Sequence, residues 1–218
     1  METCTQINFT GNHCYKYCND GDGYRIKSCM FDSPIPLGKA ISEIRTDDTM
    51  VDMLSCYKYF VKKTLAQIQH DLSLTKNLKD LKVTGMINYG QTAFVFETED
   101  GDILKITSRD HFLGRKPENF DVKIKKHIKV SPGSFCHYYL EEKTSEDFSD
   151  GELSDFADEI KNRGYKIVDS RWEQFGKTKD GRMVLIDPEC ARKAGLFGLL
   201  KQKFVKLSSY AKIIARYI

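Results

Sequence analysis

Residues 167–188 read IVDSRWEQFGKTKDGRMVLIDP, with Asp169 near one end, Asp187 near the other, and KTKDGR between them. An Asp-Gly turn set beside a strand-like run such as VLI predicts a hairpin, here one carrying a carboxylate at either end. A carboxylate can accept a hydrogen bond or a proton from an attacking group. It is also a hard oxygen ligand for a divalent cation. An aspartate closing a strand is, just as often, an ordinary turn former. A second set of reactive side chains, Cys4, His13, Cys14, Cys18 and Cys29, lies near the N-terminus. A zinc site would usually show a close cysteine pair on each side, and only Cys14/Cys18 has that spacing. The seven cysteines are therefore read as free thiols in a reducing compartment.

The elements that must position these residues can be read from periodicity. Residues 1–38 are rich in Gly, Asn, Asp and aromatics, which predicts short strands or irregular structure ending in SPIPLG, a turn or linker signal. A helix of about twenty residues follows, capped at Asp48 or Thr49. Its apolar positions Val51, Leu54, Tyr57, Phe60, Val61, Leu65 and Ile68 recur every three or four residues. From 83 onward the period is that of strands: VTGMINYG, QTAFVFETE, a tight turn at Asp100-Gly101, then ILKIT, then 122–130 and 135–143. A helix capped by Ser149 or Asp150 comes next, with acids in its first turns and Gly164 after its end. Three parts result: an extension over 1–82 with an amphipathic helix, an antiparallel sheet over 83–145, and a smaller part over 146–218 holding the hairpin and a tail.

Composition limits the function classes. The 218 residues are 40% hydrophobic and 30% charged, as in a globular chain. A net charge of +3 gives no basis for nucleic acid as a partner. No basic-then-apolar leader and no apolar run of membrane-spanning length is visible, so an intracellular protein without a transmembrane segment is expected. Arg192, Lys193, Lys201, Lys203, Lys206, Lys212 and Arg216 make the tail basic, with no acid from 192 to 218. Interleaved Leu196, Leu199, Phe204, Leu207, Ile213 and Ile214 predict a basic amphipathic helix whose apolar face packs under the hairpin, with binding to an anionic membrane surface, or to nucleic acid or an acidic protein, as the competing readings.

Five antiparallel strands, a helix and an Asp-to-Asp hairpin resemble the protein-kinase order of elements, and individual residues carry the resemblance. NYGQTAFVF is similar to the kinase phosphate-covering loop, with Asn88, Gly90 and Ala93 in the glycine positions and Val95 as its valine. Lys105 in ILKI is similar to the lysine of the third strand. YYLEEK, with Glu141 and Glu142, resembles the last strand running into the hinge. Asp169, Gln174 and Asp187 resemble the catalytic aspartate, the metal-binding asparagine and the metal-binding aspartate. The resemblance implies an α+β, protein-kinase-like fold with a five-stranded N-lobe sheet and a reduced helical C-lobe. It further implies ATP and Mg²⁺ as cofactors. Asn88, Gly90, Ala93, Val95, Lys105, Glu141 and Glu142 would then lie at the nucleotide, Lys105 and Asp169 would be catalytic, and Gln174 and Asp187 would hold the metal.

Each residue type suits that chemistry. Phosphoryl transfer relies on positioned charge more than on covalent help. A glycine and a small alanine leave backbone N–H groups accessible to phosphates, a lysine neutralises phosphate oxygens, and a carboxylate with a neutral carbonyl ligates Mg²⁺.

The departures are equally specific. His-Arg-Asp is replaced by Ile167-Val168-Asp169, Asn by Gln174, and Asp-Phe-Gly by Asp187-Pro188-Glu189. Between 106 and 121 the acids that could partner Lys105 are Asp110, Glu118 and Asp121, and Pro117 interrupts any helix. The shortened pattern resembles the small kinase-like proteins of phages and bacterial effectors, including the early serine/threonine kinases of podoviruses. That places the chain in the cytoplasm, of a host if viral. Two functions follow: a minimal kinase acting on protein Ser/Thr, or a pseudokinase-type module that binds a host protein. The oligomeric state is not legible.

Overall fold

The structure, a computed structural model, describes residues 4–8, 14–19, 24–42, 44, 55–89, 93–112, 115–130 and 132–193. The chain divides into two compact units, one of residues 1–108 and 126–140 and the other of 109–125 and 141–218. The class is α+β, with a large sheet and few helices.

The first unit is built on an eight-stranded sheet ordered β1-β2-β3-β4-β5-β6-β8-β7. Its strands are β1 (Cys4–Asn8), β2 (Cys14–Asn19), β3 (Tyr24–Pro36), β4 (Lys82–Tyr89), β5 (Ala93–Thr98), β6 (Ile103–Thr107), β7 (Ile124–Ile128) and β8 (His137–Glu141). The five expected strands are β4 to β8, and three from residues before 37 extend the sheet beyond five. The run SPIPLG is no linker. Its first half ends β3, and Leu37 opens a short helix α1 (Leu37–Ser42) in which Leu37, Ala40 and Ile41 are buried. The two prolines fit because β3 pairs with β2 over 24–28 and with β4 over 29–36, so each has a single neighbouring strand there.

Register explains the core. Phe94 faces Ile106 and Phe96 faces Leu104 across β5 and β6, and all four are essentially inaccessible. The alternate residues Ala93, Val95, Lys105 and Thr107 therefore share the opposite face. The β5–β6 turn is closed by Gly101 at φ 76°, which an L side chain rarely adopts, with the Thr98 amide donating to the Asp102 carbonyl at 2.8 Å.

The predicted long helix is α2 (Ser55–Leu74), followed by the short α3 (Lys76–Lys79). The proposed caps at Asp48 and Thr49, and the apolar Val51 and Leu54, lie outside the described residues. Along α2 the buried face is Val61, Thr64, Leu65, Gln67, Ile68, Asp71 and Leu72, at helical spacing. Asp71 is fully buried. It accepts hydrogen bonds from Gln67 (2.8 Å), Ser134 (2.5 Å) and the Tyr138 hydroxyl (2.9 Å). A buried carboxylate needs such a donor set, because its desolvation is otherwise severe. Burial, and then the nearby Asp71 charge, push the Cys136 thiol well above its ordinary value.

The second unit has little sheet. Helix α4 (Asp150–Asn162) opens with a reciprocal cap, Ser149 accepting from the Glu152 amide and Glu152 from the Ser149 amide. It ends before Gly164 at φ 80°. Two pairs of three-residue strands follow: β9 (Tyr165–Ile167) with β12 (Ala191–Lys193), and β10 (Phe175–Lys177) with β11 (Met183–Leu185). Phe156 and Ile160 of α4 pack with Phe120, Phe148, Tyr165, Phe175, Leu185 and Ala191 into one core. The predicted hairpin over 175–185 is present, with Gly181 at φ 84° in its turn. The basic tail beyond Lys193 lies outside the described residues.

Candidate functional site

Two short loops of the second unit hold the predicted carboxylates. One, residues 168–174, runs from β9 through a 3₁₀ turn, Trp172–Gln174, into β10. The other leaves β11, passes Asp187 and makes a 3₁₀ turn, Pro188–Cys190, before β12. Backbone bonds join the loops at both ends. The Val168 amide donates to the Cys190 carbonyl at 2.8 Å, and the Ile186 amide to the Gln174 carbonyl at 2.9 Å. Asp169 therefore follows one tie directly, while Gln174 and Asp187 flank the other. Residues 5 and 18 positions apart in the chain are gathered by strands of only three residues. Phe148 stacks on Trp172 at 4.3 Å between ring centroids, fixing the middle of the first loop. Gly176 is required at the hairpin base, since a Cβ there would lie 2.7 Å from the Cβ of Thr144.

Asp169 has a partner that the sequence reading did not single out. Arg171 grips it through Nε at 3.0 Å and Nη2 at 2.7 Å, and the Arg171 amide reaches Oδ1 at 3.3 Å. These hydrogen bonds from Arg171 hold the Asp169 carboxyl below its ordinary value. An arginine two residues from a candidate base was a visible signal, since the guanidinium fork matches a carboxylate.

The turn after Asp187 is held by two further arginines. Arg109, 8% exposed, lies 3.5 Å from the Glu189 carboxylate. Arg115 donates to the Pro188 carbonyl from Nη2 at 2.9 Å and from Nε at 3.3 Å, and forms a two-pronged pair with Asp121. Its guanidinium sits over the rings of Phe112, Phe120 and Tyr165. Nothing in the local pattern around 109–121 announces these pairings, which span up to eighty residues.

The acids weighed as partners of Lys105 all have described contacts in the second unit. Asp121 pairs with Arg115, Glu118 accepts from the Tyr165 hydroxyl at 2.7 Å, and Asp110 accepts from the Phe112 amide at 3.1 Å. Burial, followed by that bond to Glu118, pushes the Tyr165 hydroxyl up to about 12. Lys105 itself is not the solvent-facing strand lysine of ordinary sheets: it is 8% exposed. It lies on the β5–β6 face with Ala93, Val95 and Thr107. Asn88 stands opposite Val95 in the β4–β5 register, next to an irregularity. Gly90 lies outside the described residues.

Glu141 and Glu142 belong to the second unit. The Glu141 carboxylate is buried, its Oε1 3.1 Å from Nε2 of His111. Glu142 accepts from the Lys123 amide at 2.9 Å and pairs with Arg182 at 2.8 Å. Both carboxylates lie beside basic side chains of the second unit. Among the described residues no group of three or more His, Cys, Asp or Glu gathers as a metal site, and no helix is long and apolar enough to cross a membrane. No protein-family profile and no curated protein sequence matches the chain.

Proposed function

We propose that the chain binds ATP with Mg²⁺ and transfers the γ-phosphoryl group to a protein Ser/Thr hydroxyl, as a minimal kinase-like protein. The observation that supports this reading is the double backbone tie between loops 168–174 and 186–190, which joins the two segments that carry Asp169, Gln174 and Asp187. The donor set suits Mg²⁺. A carboxylate and a neutral carbonyl are hard oxygens, and this ion takes one or two protein ligands and completes its shell with phosphate and water. When bound, the metal neutralises charge developing on the phosphates.

Asp187 and Gln174 would hold that ion. Asp169 would accept the hydrogen bond of the attacking hydroxyl and then its proton. Lys105 would supply a compact cation for phosphate oxygens, and its burial supports that role over a solvated one. The test is transfer from labelled ATP by purified protein, expected to be lost in Asp187→Ala. Undiminished transfer by that variant overturns the assignment.

A second reading, a catalytically inactive pseudokinase-type module that binds a host protein, has its own observation: the Arg171 grip on Asp169. An engaged, acidified carboxylate is a weaker base. Thermal shift read together with transfer separates the two readings. A ligand of the native state adds about 2.7 kcal/mol at a hundredfold excess over Kd. No shift with any Mg-nucleotide selects the binding module, as does a shift without transfer even in Arg171→Ala.

A further inference from the structure

Arg115 makes more polar contacts than a charge neutraliser needs. Its side chain is 5% exposed and Asp121, its carboxylate partner, 1%. The pair alone would balance both charges. Yet Nη1 also donates to the Lys116 carbonyl at 3.1 Å, and two nitrogens converge on one carbonyl, that of Pro188. That carbonyl belongs to the residue after Asp187. Asp121 is fixed in turn, accepting from the Glu118 amide at 2.7 Å and sitting in a parallel bridge with Leu185. The same segment is sewn to β11 by the Val122 amide on the Leu185 carbonyl (2.9 Å) and the Leu185 amide on the Phe120 carbonyl (2.7 Å). Arg115 is therefore anchored to the strand that leads into Asp187 and bonded to the turn that leads away from it.

We propose that Arg115 is the positioning residue for Asp187, setting the direction of its carboxylate by fixing the chain on both sides of it. The inference rests on the reading of Asp187 as a Mg²⁺ ligand, and it assigns a positioning task to the 115–121 segment. Arginine suits it, because its planar fork meets a carboxylate with two parallel bonds and still has donors left for a carbonyl. The three surrounding rings hold the guanidinium in place. Pro188 strengthens the effect: its fixed φ leaves the turn few ways to relax, so a hold on its carbonyl is transmitted to Asp187. Residues of this outer kind typically change metal affinity by about 10–100-fold.

The test uses full-length Arg115→Lys, which keeps the charge beside Asp121 and loses the fork. Two readouts are taken. Hydrogen exchange of the peptide covering 186–190 is expected to quicken while α4 keeps its protection. The Mg²⁺ needed for half of the nucleotide-dependent thermal shift is expected to rise by about tenfold, with nucleotide affinity in EDTA unchanged. Unchanged exchange and unchanged Mg²⁺ demand in the folded variant overturn the proposal. If Arg115→Lys does not fold, Asp121→Asn, which loosens the fork while leaving Arg115 in place, must show the same two changes or the proposal falls. Should the wild type show no Mg²⁺-dependent nucleotide shift, the kinase reading fails separately, and the exchange of 186–190 alone decides the role of Arg115.

Discussion

The two units are held in order by different means. In the sheet unit, position follows from pairing: β5 and β6 run opposite each other for five residues, and Phe94, Phe96, Leu104 and Ile106 fill one face by alternation alone. In the second unit the strands are three residues long, too short to fix much by register. There, the loops that matter are held by arginines: Arg115 on Asp121 and Pro188, Arg171 on Asp169, Arg182 on Glu142. Where backbone pairing is brief, charge-assisted bonds supply the geometry, each with more directionality than apolar contact.

That contrast can be broken most directly at Asp121. Asp121→Ala leaves the Arg115 guanidinium buried without its carboxylate, a change worth about 3–5 kcal/mol. Urea unfolding is expected to show that loss, and a loss under about 1 kcal/mol would mean that the arginine network does not organise this unit. Asp71→Asn tests the exception in the other unit, the one buried carboxylate described on its helix face. Hydrogen bonds to a charged acceptor contribute about 1.5–3 kcal/mol, so the variant should lose about 2 kcal/mol, with α2 exchanging faster than β5. Equal protection of both would show that Asp71 does not anchor the helix.

The smallest effect is expected at Arg171. Its side chain is 54% exposed, so Arg171→Ala should cost less than about 1 kcal/mol. The sign with pH is nevertheless definite. Asp169 is lowered in the folded state, mainly by the hydrogen bonds from Arg171. A lowered carboxyl contributes stability above its unfolded value near 4 and loses it as pH falls through the folded value. Removing Arg171 raises the folded value, so the acid limb of the proposed phosphoryl transfer should move to higher pH. An unmoved limb would separate Asp169 from the proton.

The same contrast decides what could be read from sequence. β4 to β8, α4 with Ser149 at its cap, and the Gly101 and Gly181 turns obey local periods and were legible. Strand β3 was not, because prolines and Asp32 interrupt its alternation and its two halves serve different neighbours. The offsets linking Asp169, Gln174 and Asp187 were visible as spacing. The grip on them was not: Arg109 to Glu189 and Arg115 to Pro188 join segments that no local pattern connects. Nor does a period distinguish a buried Lys105 from an exposed one.

Each unit is also discontinuous along the chain, and this has a consequence for synthesis. The segment 109–125 belongs with 141–218, and its bonds to Leu185 close only after about 60 further residues have been made. At roughly 5–20 residues per second that is a wait of about 3–12 s. During it Phe120, Val122 and Arg115 lack their partners in β11 and the Pro188 turn. A released chain ending near residue 145 should therefore display an aromatic, cationic segment that the finished protein conceals, and neither unit can be excised as one uninterrupted piece of gene.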